Sequence, residues 1–427
     1  MQEERCLKRI YYSLYDRLLR LENLEVAFKK VKSAKGAAGI DGQCLNDFAW
    51  RKDENLLTLC NELKGKTYRP QPVKRVMIPK PDGGERKIGI PTVRDRVVQQ
   101  ALLDILQPIF EEDFHPSSYG YRPGRSCHQA ISKATMFIRK YERKWVVDMD
   151  LSKCFDTLDH ELILKTFRKR VVDGSILKLL RMFLECGVMT ESGWEASAIG
   201  SPQGGVISPL VANVYLNEFD QFMMKRGHRI VRYADDILIL CRSKSAAQNA
   251  RAVAEQYLEG DLKLTVNAEK SHVAAARAGV KFLGVIIRSN TTSIQPKKIA
   301  MLKEKVKRIT RRNSPVNLEK VIADLNPVIR GFGNYFRVAN CKGVFEELAQ
   351  WIRRRLRAKQ LSLWKKAKKL HRRLRQKGYR GEFKKIKMNS WRNAASPLAN
   401  MALPNTHFLR LGLFDLSRLR TGVLVPI

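Results

Sequence analysis

A chain of 427 residues is long enough for two or three domains, and its 80 lysines and arginines against 42 aspartates and glutamates leave a formal charge of +38. An excess of that size points to a polyanionic partner, nucleic acid first. It excludes little else, but the apolar runs do: none approaches the roughly 20 residues needed to span a bilayer, and the polar start Met-Gln-Glu-Glu-Arg-Cys lacks the apolar core of a secretory signal. The sequence therefore predicts a cytoplasmic protein. Eight scattered cysteines, with no Cys-x-x-Cys pair and no paired histidines beside them, predict free thiols rather than a zinc site or a disulfide framework.

Taken in chain order, hydrophobic periodicity predicts an α+β mixture up to about residue 290. Strands rich in β-branched residues are expected at 73–79, 145–151, 230–233, 236–241 and 281–287. Helices are expected at 93–112, 126–142, 161–171, 175–186, 209–226 and 244–260, with Gly/Pro-marked loops at 79–91 and 200–209. Beyond 290 the pattern becomes helical, with 297–312, 317–336 and 343–357 predicting a three-helix bundle. Charge is unevenly shared: residues 281–427 hold 35 basic and 7 acidic residues, and 351–380 holds fourteen basic residues and no acid. Apolar residues recur through 351–380 at helical intervals, so one or two basic amphipathic helices are expected there. Like charges so dense repel one another unless an anion lies along them.

Two acidic clusters stand out because each follows an apolar run. Val-Arg-Tyr-Ala-Asp-Asp-Ile-Leu-Ile-Leu (231–240) sets paired carboxylates between two strands, and Trp-Val-Val-Asp-Met-Asp-Leu-Ser-Lys-Cys-Phe-Asp (145–156) delivers acids to the end of another. Either could be a solvated turn. If the strands lie side by side, Asp150 faces Asp235 and Asp236, and carboxylates about 4 Å apart repel by several kcal/mol per pair at an effective dielectric near 20. Divalent cations relieve that repulsion. Magnesium takes a few carboxylates, water and substrate phosphates, and two such ions roughly 3.5–4 Å apart suit an in-line phosphoryl displacement. Zinc suits the site poorly, since neither cluster offers a His/Cys array, and no P-loop is present to hold phosphates instead.

Eight stretches together resemble one family. They are Gly-Ala-Ala-Gly-Ile-Asp-Gly (36–42), Ile-Pro-Lys-Pro-Asp-Gly-Gly-Glu-Arg (78–86), Tyr-Gly-Tyr-Arg-Pro-Gly-Arg-Ser (119–126), Asp-Met-Asp-Leu-Ser-Lys-Cys-Phe-Asp (148–156), Ser-Pro-Gln-Gly-Gly-Val-Ile-Ser-Pro-Leu (201–210), Tyr-Ala-Asp-Asp (233–236), Phe-Leu-Gly (282–284) and Gly-Asn-Tyr-Phe (333–336). In order and spacing they are similar to bacterial group II intron reverse transcriptases, also called maturases. The resemblance implies an α+β right-hand polymerase of fingers and palm, followed by an all-α thumb and a small basic C-terminal region. Its expected divisions are an N-terminal extension and fingers (1–92), a fingers/palm core (93–290), a thumb (291–375) and a DNA-binding region (376–427).

What the likeness implies for the site is specific. Asp150, Asp235 and Asp236 would be the catalytic, metal-binding triad for two Mg²⁺ ions, with Mn²⁺ as a substitute. Asp150 is preferred to Asp148 because Phe155 then follows by five residues, where the family keeps an aromatic gate against the ribose 2′-hydroxyl. The usual Phe-Phe is Cys154-Phe155 here. Lys80 and Arg86 would grip the incoming triphosphate, Gln203, Gly204 and Gly205 would lie at the nascent pair, and Lys270 would stand near the leaving pyrophosphate. Gly36, Gly39 and Gly42 would let an N-terminal loop approach template phosphates, a feature the family couples to template switching. Phe282, Leu283 and Gly284 would form a primer grip, or plain core. Arg353, Arg354, Arg355, Arg357, Lys365 and Lys366 would contribute a basic surface for nucleic acid.

Expected partners are an RNA template, intron RNA included, a DNA or RNA primer, dNTPs and target DNA. The end at Val-Pro-Ile, without a Cys/His endonuclease domain, resembles the compact lineage, so cleavage of target DNA is not expected. Two rival readings are a non-catalytic RNA-binding splicing factor and a free-standing relative serving DNA repair or strand annealing. The full set of Asp150, Asp235, Asp236, Phe155, Lys80 and Arg86 speaks against a relic, and Ala234 in the turn favours an intron-encoded member.

Overall fold

Eleven strands, counted among the described residues, are β1 (Val73–Pro79), β2 (Glu85–Ile90), β3 (Trp145–Met149), β4 (Val188–Thr190), β5 (Gly193–Glu195), β6 (Arg229–Tyr233), β7 (Asp236–Cys241), β8 (His272–Ala275), β9 (Val280–Phe282), β10 (Val285–Ile287) and β11 (Thr292–Ile294). The computed structural model describes residues 9–79, 83–197, 199–201, 203–382 and 387–426. The chain divides into two compact units, the first from the described residues of Met1–Ala130 with Glu142–Ala275, the second from Ile131–Tyr141 with Ala276–Ile427.

The first unit is built on an antiparallel sheet of order β6-β7-β3-β8. Central β7, Asp-Ile-Leu-Ile-Leu-Cys, is buried from Ile237 to Cys241, as an unbroken apolar run requires. Helix Ser208–Lys225 packs beside β6 and sends Val211, Tyr215 and Phe219 into the main apolar core. A second sheet, β2-β1-β4-β5, carries the β1–β2 hairpin whose tip includes Gly83 and Gly84, both at positive φ. Strand β2 falls inside the stretch 79–91 that sequence reads as a loop. Its Glu-Arg-Lys start is exposed, so no apolar alternation marks it as a strand. Helices Leu21–Ala34 and Lys52–Lys64 were likewise not expected, although Leu24, Ala27, Phe28 and Val31 form one buried stripe.

The second unit holds helices Pro296–Ile309, Leu318–Phe336 and Lys342–Trp364, the last eight residues longer than its periodicity suggests. Lys365, at φ 59°, breaks the basic run, and helix Ala367–Gln376 follows. The strand expected at 281–287 is two strands, since Leu283 and Gly284 both take positive φ and close a two-residue hairpin between β9 and β10.

Candidate active site

The β6–β7 hairpin closes through Ala234 and Asp235, with Tyr233 and Asp236 as its last pair. Ala234 takes φ 57°, the sign that a tight hairpin needs at its first central residue and one that costs an L residue about 1–2 kcal/mol. Surrounding contacts impose it. A Cβ on Gly120 would lie 2.3 Å from the Ala234 nitrogen, so only glycine lets the 117–120 segment press against the turn. Fully buried Arg232 donates through Nε to both Asp220 carboxylate oxygens at 2.9 Å and through Nη2 to one of them at 2.6 Å. Its Nη1 donates to Asn213 Oδ1 and to the Ala234 carbonyl, both at 3.0 Å. Asn213 in turn donates to the Gly120 carbonyl at 2.8 Å. Replacing Ala234 by glycine should relieve the left-handed backbone and raise stability by about 0.5–1 kcal/mol, read from a chemical denaturation midpoint.

Asp150 lies one residue beyond β3. Because Met149 pairs with Ile237, Asp150 comes opposite Asp236 as the ladder opens. Its backbone is held from the other side: Asp150 N–H donates to Ser271 Oγ at 3.1 Å, and Asn267 N–H donates to its carbonyl at 2.9 Å. The carboxylates feel one another. Partial desolvation, then the charges of Asp235, Asp148 and Asp150, push Asp236 up to about 7, although solvent still reaches this side chain. Asp235 is raised as well, by burial first and by Asp150 among the charges, and is eased by Arg86 and Arg232. Lys270 Nζ stands 3.4 Å from Asp150 Oδ2 and partly neutralises the cluster. Asp148 shares the face but sits within the ladder, opposite Leu238 and His272, whereas Asp150 occupies the open end.

Ile199, Gly200, Ser201 and Gln203 border a cleft of about 530 Å³ whose walls include Arg75, Lys87, Gly89, Lys153 and Asp156. Phe155 is half-buried in the short helical turn Cys154–Asp156, and its carbonyl accepts from Ser201 N–H at 2.7 Å. The Gln203 carbonyl accepts from Gly89 N–H of β2 at 2.7 Å, and Gly204, at φ 115°, leaves no room for a Cβ beside the Gly89 oxygen. Gly205 is buried in the same loop. Arg86 is exposed on β2 and close enough to Asp235 to ease its charge. Lys80 lies outside the described residues.

Other expected positions are used within the protein itself. At Gly36 and Gly39, side-chain space is taken by Arg96 and by the Thr92 backbone, so their smallness docks this loop onto the start of helix Val93–Glu111, while Gly42, at φ 70°, faces open space. Phe282 is buried core of the second unit, the Leu283 carbonyl accepts from the Tyr335 hydroxyl at 3.0 Å, and Gly284 lies against the Phe336 ring. The basic set needs correction at Arg357. It is buried, donates to the Leu403 carbonyl at 2.9 Å and to Asn405 Oδ1 at 2.6 Å, and burial pushes it down to about 10. A guanidinium so enclosed presents no open surface. Arg353 bonds Asp415, Arg354 lies over the Trp391 ring, and Arg355 donates to Thr310 Oγ1, whereas Lys365 and Lys366 are exposed.

The reverse transcriptase (RNA-dependent DNA polymerase) family matches residues 78–287, and the group II intron maturase-specific domain matches residues 299–378. Protein YkfC of Escherichia coli strain K12 is 37% identical over 311 residues, which span 63% of this chain and 82% of that protein. The chain belongs to the group II intron reverse transcriptase and maturase family. LtrA, a group II intron-encoded protein of Lactococcus lactis subsp. cremoris, is 35% identical over 51% of this chain, and the match spans about a third (36%) of LtrA. A 91 kDa protein in the cob intron of Schizosaccharomyces pombe is 31% identical over 49% of this chain and 25% of its own length.

Polymerases of this family use divalent metal ions, and the carboxylate cluster fits one. Its donors are hard oxygens whose mutual repulsion an added cation would offset. Among the described residues no three His, Cys, Asp or Glu side chains converge as metal ligands. Lys270 stands against Asp150, the carboxylate at the open end of β3. No described helix is long and apolar enough to cross a membrane. Sequence reasoning missed Arg232, Asp220, Asn213 and Gly120. Arg232 stands next to Tyr233, but nothing in its neighbours signals that it is buried or that its partner lies twelve residues upstream on a helix.

Proposed function

We propose that this chain extends a primer on an RNA template with dNTPs, with Asp150, Asp235 and Asp236 holding two Mg²⁺ ions, and that the second unit binds intron RNA during splicing. The observation that carries the reading is the register that sets Asp150 opposite Asp236 and next to Asp235 at the open end of the β3–β7 ladder; burial first, and then the neighbouring carboxylates, raise Asp235 and Asp236 there, a cost that a bound cation would offset. When bound, such ions lower the proton affinity of an attacking hydroxyl and offset charge on the transferred phosphoryl. The chain's own groups do the rest. Arg86, beside Asp235, orients the triphosphate as a fork donor. Lys270, on an exposed stem, neutralises Asp150 at rest and serves the leaving pyrophosphate as cation and acid. Phe155 bars the ribose 2′-hydroxyl, and the backbone of Gln203, Gly204 and Gly205 lines the nascent pair.

The deciding experiment is dNTP incorporation on an annealed RNA template with Mg²⁺, wild type against Asp235→Ala. Equal incorporation by the two proteins overturns the reading. The maturase role is favoured by the match at residues 299–378 and by the exposed cations that follow helix Lys342–Trp364. Replacing Lys365 and Lys366 by alanine should weaken RNA binding and reduce the slope of log affinity against log salt by roughly one to two. Arg357→Ala should instead lower the melting temperature; an unchanged slope in the double lysine variant would remove those residues from the RNA surface.

A further inference from the structure

His160 opens helix His160–Phe167 and is buried, with Nε2 2.6 Å from the Gly200 carbonyl oxygen. A carbonyl only accepts, so Nε2 carries the proton. Two backbone bonds lie alongside: Gly200 N–H donates to the Leu158 carbonyl at 2.8 Å, and Ser201 N–H donates to the Phe155 carbonyl at 2.7 Å. Together they clasp residues 155–160 to residues 200–201. Gly200, at φ 88°, is seated so tightly that a Cβ would lie 2.7 Å from the Asp156 oxygen. Three residues further on, the Gln203 carbonyl accepts from Gly89 N–H of β2. The short helical turn that carries Phe155 is therefore tied, through one loop, to the sheet that carries Arg86.

We propose that His160 is a positioning residue for sugar selection: by holding the Gly200 carbonyl it keeps the Phe155 backbone, and hence the ring, at the distance that separates deoxyribose from ribose. This rests on the reading of Phe155 as the ribose gate. Steric exclusion is steep, so a small retreat of the ring admits an extra oxygen, and misplacement by about 1 Å can cost on the order of a hundredfold in a reacting geometry. The imidazole is buried and its Nε2 is engaged by the Gly200 carbonyl. It acts through the loop.

Single-nucleotide incorporation of dATP and ATP opposite template uridine, with the full chain, tests this. His160→Leu should raise the KM for dATP about tenfold and the ATP-to-dATP efficiency ratio about tenfold, with kcat for dATP within about threefold of wild type. His160→Gln, whose terminal amide can still donate, should stay within about threefold of wild type in both. Asn, one methylene shorter, should behave like Leu while keeping a polar group in place, which covers the case of a poorly folded Leu variant. A uniform loss of kcat at an unchanged sugar ratio, or equal behaviour of the Leu, Asn and Gln variants, overturns the clasp. A wild type that adds no dATP, or a Phe155→Ala variant with an unchanged ratio, counts against the underlying reading instead.

Discussion

Asp236→Asn should abolish primer extension, by about a thousandfold or more, and at the same time make the cation-free protein more stable. Loss of activity follows from removing a carboxylate that would hold charge at the reacting phosphoryl, an interaction worth several kcal/mol. The gain in stability follows from the resting electrostatics. Asp236 binds its proton more tightly in the folded chain, at about 7, than an ordinary aspartate does at 3.8. Between those values the folded state holds more protons than the unfolded state, so stability falls as pH rises through that window, and the full cost of burying the charge beside its neighbours is felt above pH 7. Solvent reaches Asp236 and screens the effect, so the gain should be about 1 kcal/mol. In EDTA the wild type should melt lower at pH 8 than at pH 6, and Asp236→Asn should remove most of that difference. Parallel melting curves for the two proteins at both pH values would show that neither burial nor the neighbouring acids burden the Asp236 charge, and with that the case for a cation there would fall.

The larger structural effect is expected at Arg232 and Asp220, both with fully buried side chains. Arg232→Ala leaves the Asp220 carboxylate buried without its counter-charge and should cost about 3–5 kcal/mol. Replacing both, with Arg232→Met and Asp220→Leu, should recover most of that loss, because packed apolar groups serve a buried site about as well as an ion pair. Activity should not return. The Ala234 carbonyl and Asn213 Oδ1 lose a donor in the double variant, and the turn that carries Asp235 and Asp236 loses its anchor. Denaturation midpoints and primer extension, measured on the same three variants, check both halves. Recovery of activity along with stability would show that the pair only packs, and that Gly120 and the hairpin hold the turn unaided.

Much of the site was legible because its parts are local. The Tyr-Ala-Asp-Asp hairpin reads from two apolar runs with a two-residue gap, and strand 236–241 was bounded as the structure has it. Helix Val93–Glu111 and helix Ser208–Lys225 follow their periodicity to within a residue or two. Reading failed where exposure or a single backbone angle decided. Strand β2 is too exposed to alternate, the expected strand at 281–287 turns back at Leu283 and Gly284, and a run of fourteen basic residues splits at Lys365. The arginines of that run looked alike in the sequence, yet Arg357 is an interior residue bonded to a carbonyl and an amide, whereas Lys365 and Lys366 meet water.

By itself the sequence determined the α+β composition of the first 290 residues, the helical and basic character of the rest, and which acids stand at the ends of which strands, since these depend on neighbours within a few positions. Only the tertiary structure decided that Asp150 lies opposite Asp236, that Arg232 is buried against Asp220, and that His160 reaches Gly200. Each of those meetings joins residues 12 to 86 positions apart, and such pairings are set by sheet register and by the burial of whole faces, quantities to which no short window of residues has access.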